Sequence, residues 1–100
     1  MDWEKIYAYL QTIPKGKVVT YGQIAGFLGD RHLARAVGNA LHQNPYPERY
    51  PCYKVVNAQG KLSAQFAFGG LEGQQKRLEE DGVEVTGGKV DLGKYQWETP

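Results

Sequence analysis

Cys52 is the residue of this chain that could act as a nucleophile through a thiol, and it lies in the run PCYKVV at residues 51–56. A lone cysteine closes no intramolecular disulfide and makes no cysteine-rich zinc site, so we expect a free thiol in a reducing compartment. The thiolate is the reactive form, and a neighbouring cation such as Lys54, or a helix terminus, could lower the thiol pKa. The run alone leaves open whether Cys52 reacts.

A second group of candidate residues lies on a predicted helix at residues 31–42. Its apolar face holds Leu33, Val37, Ala40 and Leu41, and its other face holds Arg35, Gly38, Asn39 and His42. A glycine allows close backbone approach, and a flat guanidinium can fill a gap in a base stack. This face therefore predicts DNA contact. The alternative is a solvated face on which Arg35 pairs with an acid and Gly38 packs closely on another helix.

The two histidines do not predict a metal site. His32 and His42 are ten residues apart, with no nearby cysteine or cluster of acids, and this spacing fits no common ligand pattern. We expect neither a metal nor a cofactor.

Hydrophobic periodicity and capping signals predict the elements that position these residues. Residues 2–13 form an amphipathic pattern that stops at Pro14. Thr20 and Gln23 have the spacing of a capping box, which predicts a helix to Leu28. Gly29 then ends that helix.

The next helix is predicted to begin after Asp30, which can cap it. Two short helices joined by a tight turn have the layout of a helix-turn-helix, whose later helix enters a DNA groove.

The second half of the chain predicts a small β element and one more helix. Residues 53–63 read as a short hairpin, a last helix runs from about Gly69 to Gly82, and residues 83–97 could add a short strand pair. We expect a single domain over residues 1–100. Its predicted class is mainly α with a small β wing, a winged helix-turn-helix.

Charge and hydropathy narrow the possible partners. The chain has 12 Lys and Arg against 11 Asp and Glu, so affinity for nucleic acid depends on where the charges lie. The N-terminal segment matches neither a signal peptide nor a membrane span. We expect a cytoplasmic, nucleoid-associated monomer with no membrane partner. Its candidate phosphate contacts are Lys17, Arg31, Lys54 and Lys61.

Four runs resemble the DNA-binding domain of the O6-alkylguanine-DNA alkyltransferases and of their shorter relatives, the alkyltransferase-like proteins. They are TYGQIAGFLG, LARAVGNALHQNP, PCYKVVNAQGKLS and GGLEGQQKRLEEDGV, and the resemblance extends from about Ile6 to Val83. It implies a double-stranded DNA partner containing O6-alkylguanine. It also implies that nucleotide excision repair proteins act downstream.

The resemblance implies a role for individual residues. Tyr21 would press on the phosphate beside the target, and Arg35 would occupy the space left by the flipped base. Asn44 would form the hinge between recognition helix and active site, and Cys52 would accept the alkyl group. Asp81 takes the place of a glutamate that orients a catalytic histidine. The DNA-binding set is then Tyr21, Arg35, Gly38, Asn39, Asn44 and Lys54.

Three features depart from the resemblance. Tyr53 replaces the catalytic histidine, and a phenol with a pKa near 10 is a poor proton acceptor at neutral pH. The alkyltransferase-like proteins typically have Pro-Trp-His where this chain has Pro-Cys-Tyr. Gln65 lies near the position where some of them place an arginine that probes the lesion. The predicted lesion pocket comprises Pro51, Cys52, Tyr53, Ser63 and Gln65.

Three hypotheses follow. The first is a sensor that flips an O6-alkylguanine and flags it for repair with little or no alkyl transfer. The second is a methylated-DNA–protein-cysteine methyltransferase in which Cys52 accepts the alkyl group once. The third is a winged helix-turn-helix protein that binds DNA without regard to lesions and buries Cys52 as a small hydrophobic residue.

Overall fold

The computed structural model describes residues 3–64 and 66–98. Five α-helices and two strands lie in these ranges, together with two single turns of 3-10 helix at Arg31–Leu33 and Cys52–Lys54. The helices are α1 Trp3–Thr12, α2 Tyr21–Phe27, α3 Ala34–His42, α4 Gly70–Glu80 and α5 Leu92–Tyr95, and the strands are β1 Val19–Thr20 and β2 Val55–Val56. The mainly helical class with a small β element is confirmed.

The start and end of α2 follow from local sequence, as predicted. The Gln23 amide donates to Thr20 Oγ1 at 3.1 Å, and the Thr20 amide donates to Gln23 Oε1 at 2.9 Å, which completes the capping box. At the other end Gly29 has φ of 93°, and the Asp30 amide donates to the Ala25 carbonyl at 3.1 Å. This left-handed glycine turns the chain sharply towards α3.

The helix at residues 31–42 is shorter than predicted. The Asp30 carboxylate accepts from the His32 amide at 2.9 Å and so caps the 3-10 turn Arg31–Leu33. The α-helix itself begins at Ala34, after Leu33, which provides no side-chain cap. The face that was predicted to be apolar is buried at Val37, Ala40 and Leu41.

The predicted hairpin is wrong, because β2 pairs in parallel with β1. Val19 lies opposite Val55, and Thr20 lies opposite Val56. Both residues of β2 are buried, which is typical of a strand covered on both faces and not of an amphipathic hairpin strand. The segment after it joins the tail instead, since the Val90 amide donates to the Gly60 carbonyl at 2.8 Å.

Two hydrophobic clusters lie on either side of the strand pair. Val19 and Val55 belong to the cluster formed with α1, α2 and α3, whereas Val56 belongs to the cluster formed with α4 and the tail. Successive residues of a strand point to opposite faces, so two short strands suffice to divide the core. Cys52 lies in the first cluster, and this places the thiol beneath α3.

The last long helix also ends as predicted. The Val83 amide donates to the Leu78 carbonyl at 2.9 Å, and the Gly82 amide donates to the Glu79 carbonyl at 3.1 Å, around Gly82 in a left-handed conformation. The tail forms isolated bridges and α5 in place of the predicted strand pair. Across the described ranges, no helix combines the length and apolar character that crossing a bilayer requires.

Candidate functional site

An open cavity of about 520 Å³ brings together residues from several segments of the chain. Tyr21 comes from α2, and Arg35, Gly38 and Asn39 come from α3. Cys52 comes from the 3-10 turn before β2, and the loop after β2 contributes Ser63, Phe66 and Ala67. Six of the residues predicted for the site therefore line one space: Tyr21, Arg35, Gly38, Asn39, Cys52 and Ser63.

The α3 face of the cavity is open to solvent and carries positive charge. Arg35, Asn39 and His42 are exposed. Within residues 3–64 and 66–98, no carboxylate lies within ion-pair distance of Arg35. A methyl group added at Gly38 would meet no atom within 4 Å. The alternative in which Arg35 pairs with an acid and Gly38 packs on another helix is therefore wrong.

Tyr21 enters the cavity from the first residue of α2. It is partly buried, and this burial raises the pKa of its phenol, with a smaller contribution from Cys52. The side chain therefore stays neutral at physiological pH. A neutral phenol can approach a phosphate without charge repulsion.

The Cys52 thiol lies at the inner end of the cavity with 4% of its surface exposed, and it forms no disulfide. Burial raises the pKa of this thiol above its ordinary value, although a hydrogen bond with the Asn44 side chain and the charge of Arg77 oppose the shift. Cys52 is therefore protonated at neutral pH. Lys54 is not among the groups that lower the pKa of Cys52.

Lys54 was predicted to contact phosphate, and the structure contradicts this. Only 4% of Lys54 is exposed. Its Nζ lies 3.0 Å from Asp81 Oδ2 and donates to the Pro14 carbonyl at 2.9 Å. Asp81 also accepts from the Gly16 amide at 2.9 Å. The pair joins the Cys52 turn, the end of α4 and the turn after α1, away from the DNA-facing side.

Asn44 was also placed among the DNA contacts, but it is 3% exposed and cannot reach DNA. Its Nδ2 donates to the Tyr50 carbonyl at 2.6 Å, and its Oδ1 accepts from the Tyr46 amide at 3.0 Å. These bonds fix the proline-rich connector that leads from α3 to Cys52. Such a position fits a hinge.

Tyr53 and Pro51 were predicted to line the lesion pocket, and neither lines the cavity. Pro51 precedes the 3-10 turn, and Tyr53 lines a separate cleft with Glu48, Arg77, Glu80 and Asp81. The difference arises because consecutive residues of the turn point to different sides. Burial, followed by the charge of Asp81, raises the pKa of Tyr53. Gln65, the last predicted pocket residue, lies outside the described residues.

Gln74 is a site residue that the sequence analysis missed. It is 1% exposed and lines the cavity. Its Oε1 accepts from the Ser63 amide at 2.8 Å, and its Nε2 donates to the carbonyls of Tyr53 and Val55, each at 3.0 Å. The available signal was its helical spacing from Leu78, four residues later, which puts a polar side chain on the buried face of α4.

Comparison with known proteins agrees with this geometry. Residues 3–83 match the family described as 6-O-methylguanine DNA methyltransferase, DNA binding domain. A DNA base-flipping protein from Vibrio parahaemolyticus is 43% identical over 95 residues, which cover 94% of this chain and 93% of that protein. Alkyltransferase-like protein 1 from Schizosaccharomyces pombe is 38% identical over 98% of this chain and 89% of its own length.

Solved structures show the same fold. The S. pombe alkyltransferase-like protein, crystallised with damaged DNA containing O6-carboxymethylguanine, superimposes with a TM-score of 0.89 at 36% identity, over 99% of this chain and 98% of that one. Mycobacterium tuberculosis OGT in complex with DNA has a TM-score of 0.73 at 35% identity, over 82% of this chain and 49% of that one. The cavity, the helices that form it and these likenesses together show that the chain belongs to the 6-O-methylguanine DNA methyltransferase DNA-binding domain family.

Proposed function

We propose that this chain binds double-stranded DNA containing O6-alkylguanine and rotates the damaged nucleotide into the cavity. It then flags the lesion for another repair route, with little or no transfer of the alkyl group. The observation that carries the proposal is that Tyr21, Arg35 and Cys52, which are separate in sequence, line one open cavity.

Each part of the cavity suits a step of nucleotide flipping. A base inside a duplex hides its O6 substituent, and extrusion costs a few kcal/mol, so something must occupy the gap. Arg35 is exposed on α3 and can enter the gap while its charge stays near phosphate. The open space at Gly38 lets the α3 backbone approach the groove.

The surroundings of Cys52 favour retention of the alkyl group on the base. Alkyl transfer requires a thiolate, and burial holds the pKa of Cys52 above its ordinary value. The side chain that follows Cys52 in sequence is a phenol that lines a different cleft, so it does not act as a histidine base for the thiol. The names of the relatives support this function, since one is a base-flipping protein and another has been crystallised with an O6-alkylated guanine.

The proposal also covers the oligomeric state of the chain, its location and the proteins that act after it. We propose that the chain acts as a monomer in the cytoplasm, associated with the nucleoid, and that nucleotide excision repair proteins act on the marked site. DNA without a lesion would bind through phosphate contacts alone, with less affinity. Arg31 and Lys61 are exposed and remain candidates for such contacts.

The test is a binding comparison between two duplexes that differ only in O6-methylguanine or guanine at one position. We expect about tenfold tighter binding of the lesion duplex, equivalent to ~1.4 kcal/mol. Arg35→Ala should abolish this preference. Arg31→Ala is the matched control, because it removes an exposed arginine that does not line the cavity and should weaken both duplexes equally. Equal affinity of the wild type for both duplexes would refute the proposal.

The second candidate function is alkyl transfer to Cys52, favoured by the position of this thiol in the same cavity. Intact-mass measurement after incubation with O6-methylguanine DNA distinguishes the two. A sensor keeps its mass, whereas a methyltransferase gains one methyl group per chain, and Cys52→Ser would prevent that gain.

A further inference from the structure

We propose that Phe66 is a base-binding residue whose ring provides a stacking surface for the flipped base. This inference rests on the proposed function and concerns the same cavity. Phe66 lines the cavity from the loop after β2, and the other aromatic rings at the cavity among the described residues belong to Tyr21 and His42.

The ring of Phe66 is available for stacking because its aromatic neighbour leaves it partly uncovered. The rings of Phe66 and Phe68 meet edge to face, with centroids 5.6 Å apart and planes at 68°. In this arrangement Phe68 covers at most one face of Phe66. Phe66 as a whole is only partly buried.

A chain of contacts holds the aromatic pair in place. The Arg77 guanidinium lies 5.8 Å from the centre of the Phe68 ring. Arg77 also lies 3.5 Å from the exposed carboxylate of Glu48, a contact that adds little stability. Phe68 therefore supports Phe66 from the side of α4.

The loop that carries Phe66 is attached to α4 along its length. The Ser63 amide donates to Gln74 at 2.8 Å, and the Gly70 amide donates to the Phe66 carbonyl at 3.0 Å. A Cβ added at Gly73 would lie 2.2 Å from the Phe68 carbonyl oxygen. The glycine thus permits a backbone contact that any other residue would block. Phe66 is preorganised before any ligand arrives, which lowers the cost of binding.

The remaining surroundings of Phe66 suit a flat, uncharged ligand. Leu41, Val55 and Ala67 contribute apolar surface to the same cavity. Aromatic side chains bind extruded bases by stacking, and this requires no charge on the base. A guanine stacked on Phe66 would carry its O6 substituent into the space that Cys52 also lines.

The experiment compares Phe66→Leu with wild type on three duplexes, which contain O6-methylguanine, guanine or an abasic site at one position. Stacking predicts that Phe66→Leu weakens binding of the O6-methylguanine duplex about tenfold, and that the abasic duplex, which has no base to stack, binds as before. Phe66→Tyr should restore wild-type affinity. Phe27→Leu is the matched control, since Phe27 is 60% exposed and does not line the cavity.

Two results would overturn the inference: unchanged binding of the O6-methylguanine duplex by Phe66→Leu, or an equal loss on the abasic duplex, which would indicate a structural role only. Neither of these results with Phe66→Leu changes the preference of the wild-type protein for O6-methylguanine over guanine. Failure of the proposed function would instead appear as equal binding of those two duplexes by the wild type.

Discussion

Cys52 combines a position suited to alkyl transfer with surroundings that oppose it. The thiol lies in the cavity with Tyr21 and Arg35, yet it is buried and its pKa is raised. Asp81, which the resemblance places in a catalytic role, is bound to Lys54 and the Gly16 amide. Tyr53 follows Cys52 in sequence, and its pKa is raised by burial and further by the charges of Asp81 and Cys52.

Tyr53→His is expected to produce measurable methyl transfer from O6-methylguanine DNA to Cys52. An imidazole has a pKa near 6.5, whereas the phenol is a poor proton acceptor. Although Tyr53 lines a neighbouring cleft, the charge of Cys52 contributes to its raised pKa, so an imidazole at this position is near enough to the thiol to accept its proton. Intact mass against time gives the rate. Tyr53→Phe is the control that removes the hydroxyl without supplying a base, and it should not react.

The pH dependence of Cys52 alkylation tests the same variant in a second way. Because the Cys52 pKa is raised in the wild type, its slow alkylation by iodoacetamide should accelerate as pH rises, with a midpoint above the value of about 8.5 typical of a free cysteine. In Tyr53→His the midpoint should move to lower pH. An unchanged midpoint and no methyl transfer would show that the shape of the cavity, and not the missing proton acceptor, keeps Cys52 unreactive.

Motif residues and buried polar residues differed in how well the sequence located them. Tyr21, Arg35 and Cys52 lie in runs with family-like spacing, and all three line one cavity in the structure; that they act together there stays a prediction. Lys54 was assigned to the DNA surface from its place in the PCYKVV run, and Asn44 from the family resemblance. Their partners, Asp81 and the Tyr50 carbonyl, come from other parts of the fold, and no local pattern indicates them.

Helix ends were predictable where the signal lies within a few residues. The Thr20 and Gln23 capping box and the glycines at positions 29 and 82 act through local backbone geometry. The pairing of β2 was not predictable in this way. Strand pairing depends on which distant segment covers the edge, and here β1 lies 36 residues before β2 in register, as Val19 and Val55 show.

The buried ion pair between Lys54 and Asp81 should stabilise the junction of three segments. Asp81→Asn leaves the Lys54 charge buried without a carboxylate, and we expect a loss of about 3 kcal/mol in the free energy of unfolding. Urea denaturation measures it. The control is Glu48→Gln, which removes an exposed partner of Arg77 and should cost less than about 1 kcal/mol.

A double-mutant cycle isolates the pair itself. Lys54→Met combined with Asp81→Asn should cost less than the sum of the two single changes, because the second change removes a charge already left unpaired. Additive losses would mean that the two side chains stabilise the fold independently, contrary to the contact between them.

At the level of the complete fold, the cavity lies on one of the two hydrophobic clusters. The cluster around α1, α2 and α3 contains Cys52, and Phe66 and Phe68 pack against it, whereas the cluster around α4 and the tail lies on the other side of the strand pair. That both clusters belong to one domain stays a prediction.

The positive and negative charges of the chain nearly balance, so their effect on DNA binding depends on where they lie on the folded molecule. The chain carries a formal net charge of +1, and one exposed arginine, Arg35, lines the cavity. Non-specific attraction to DNA should therefore be modest, so recognition should depend on the extruded base more than on the total charge.

Disulfide trapping tests whether an extruded guanine reaches Cys52. The probe is a duplex in which the O6 of one guanine carries a short ethyl chain ending in a disulfide to a small thiol. The Cys52 thiolate attacks the tether sulfur, forms a protein–DNA disulfide and releases the small thiol. Cys52 is the only cysteine of the chain and is 4% exposed, so a short tether on a stacked base cannot reach it.

The account predicts a covalent complex at mildly alkaline pH with wild-type protein, a lower yield with Arg35→Ala and none with Cys52→Ser. Saturated binding of the same duplex by wild-type protein without any covalent complex would contradict it.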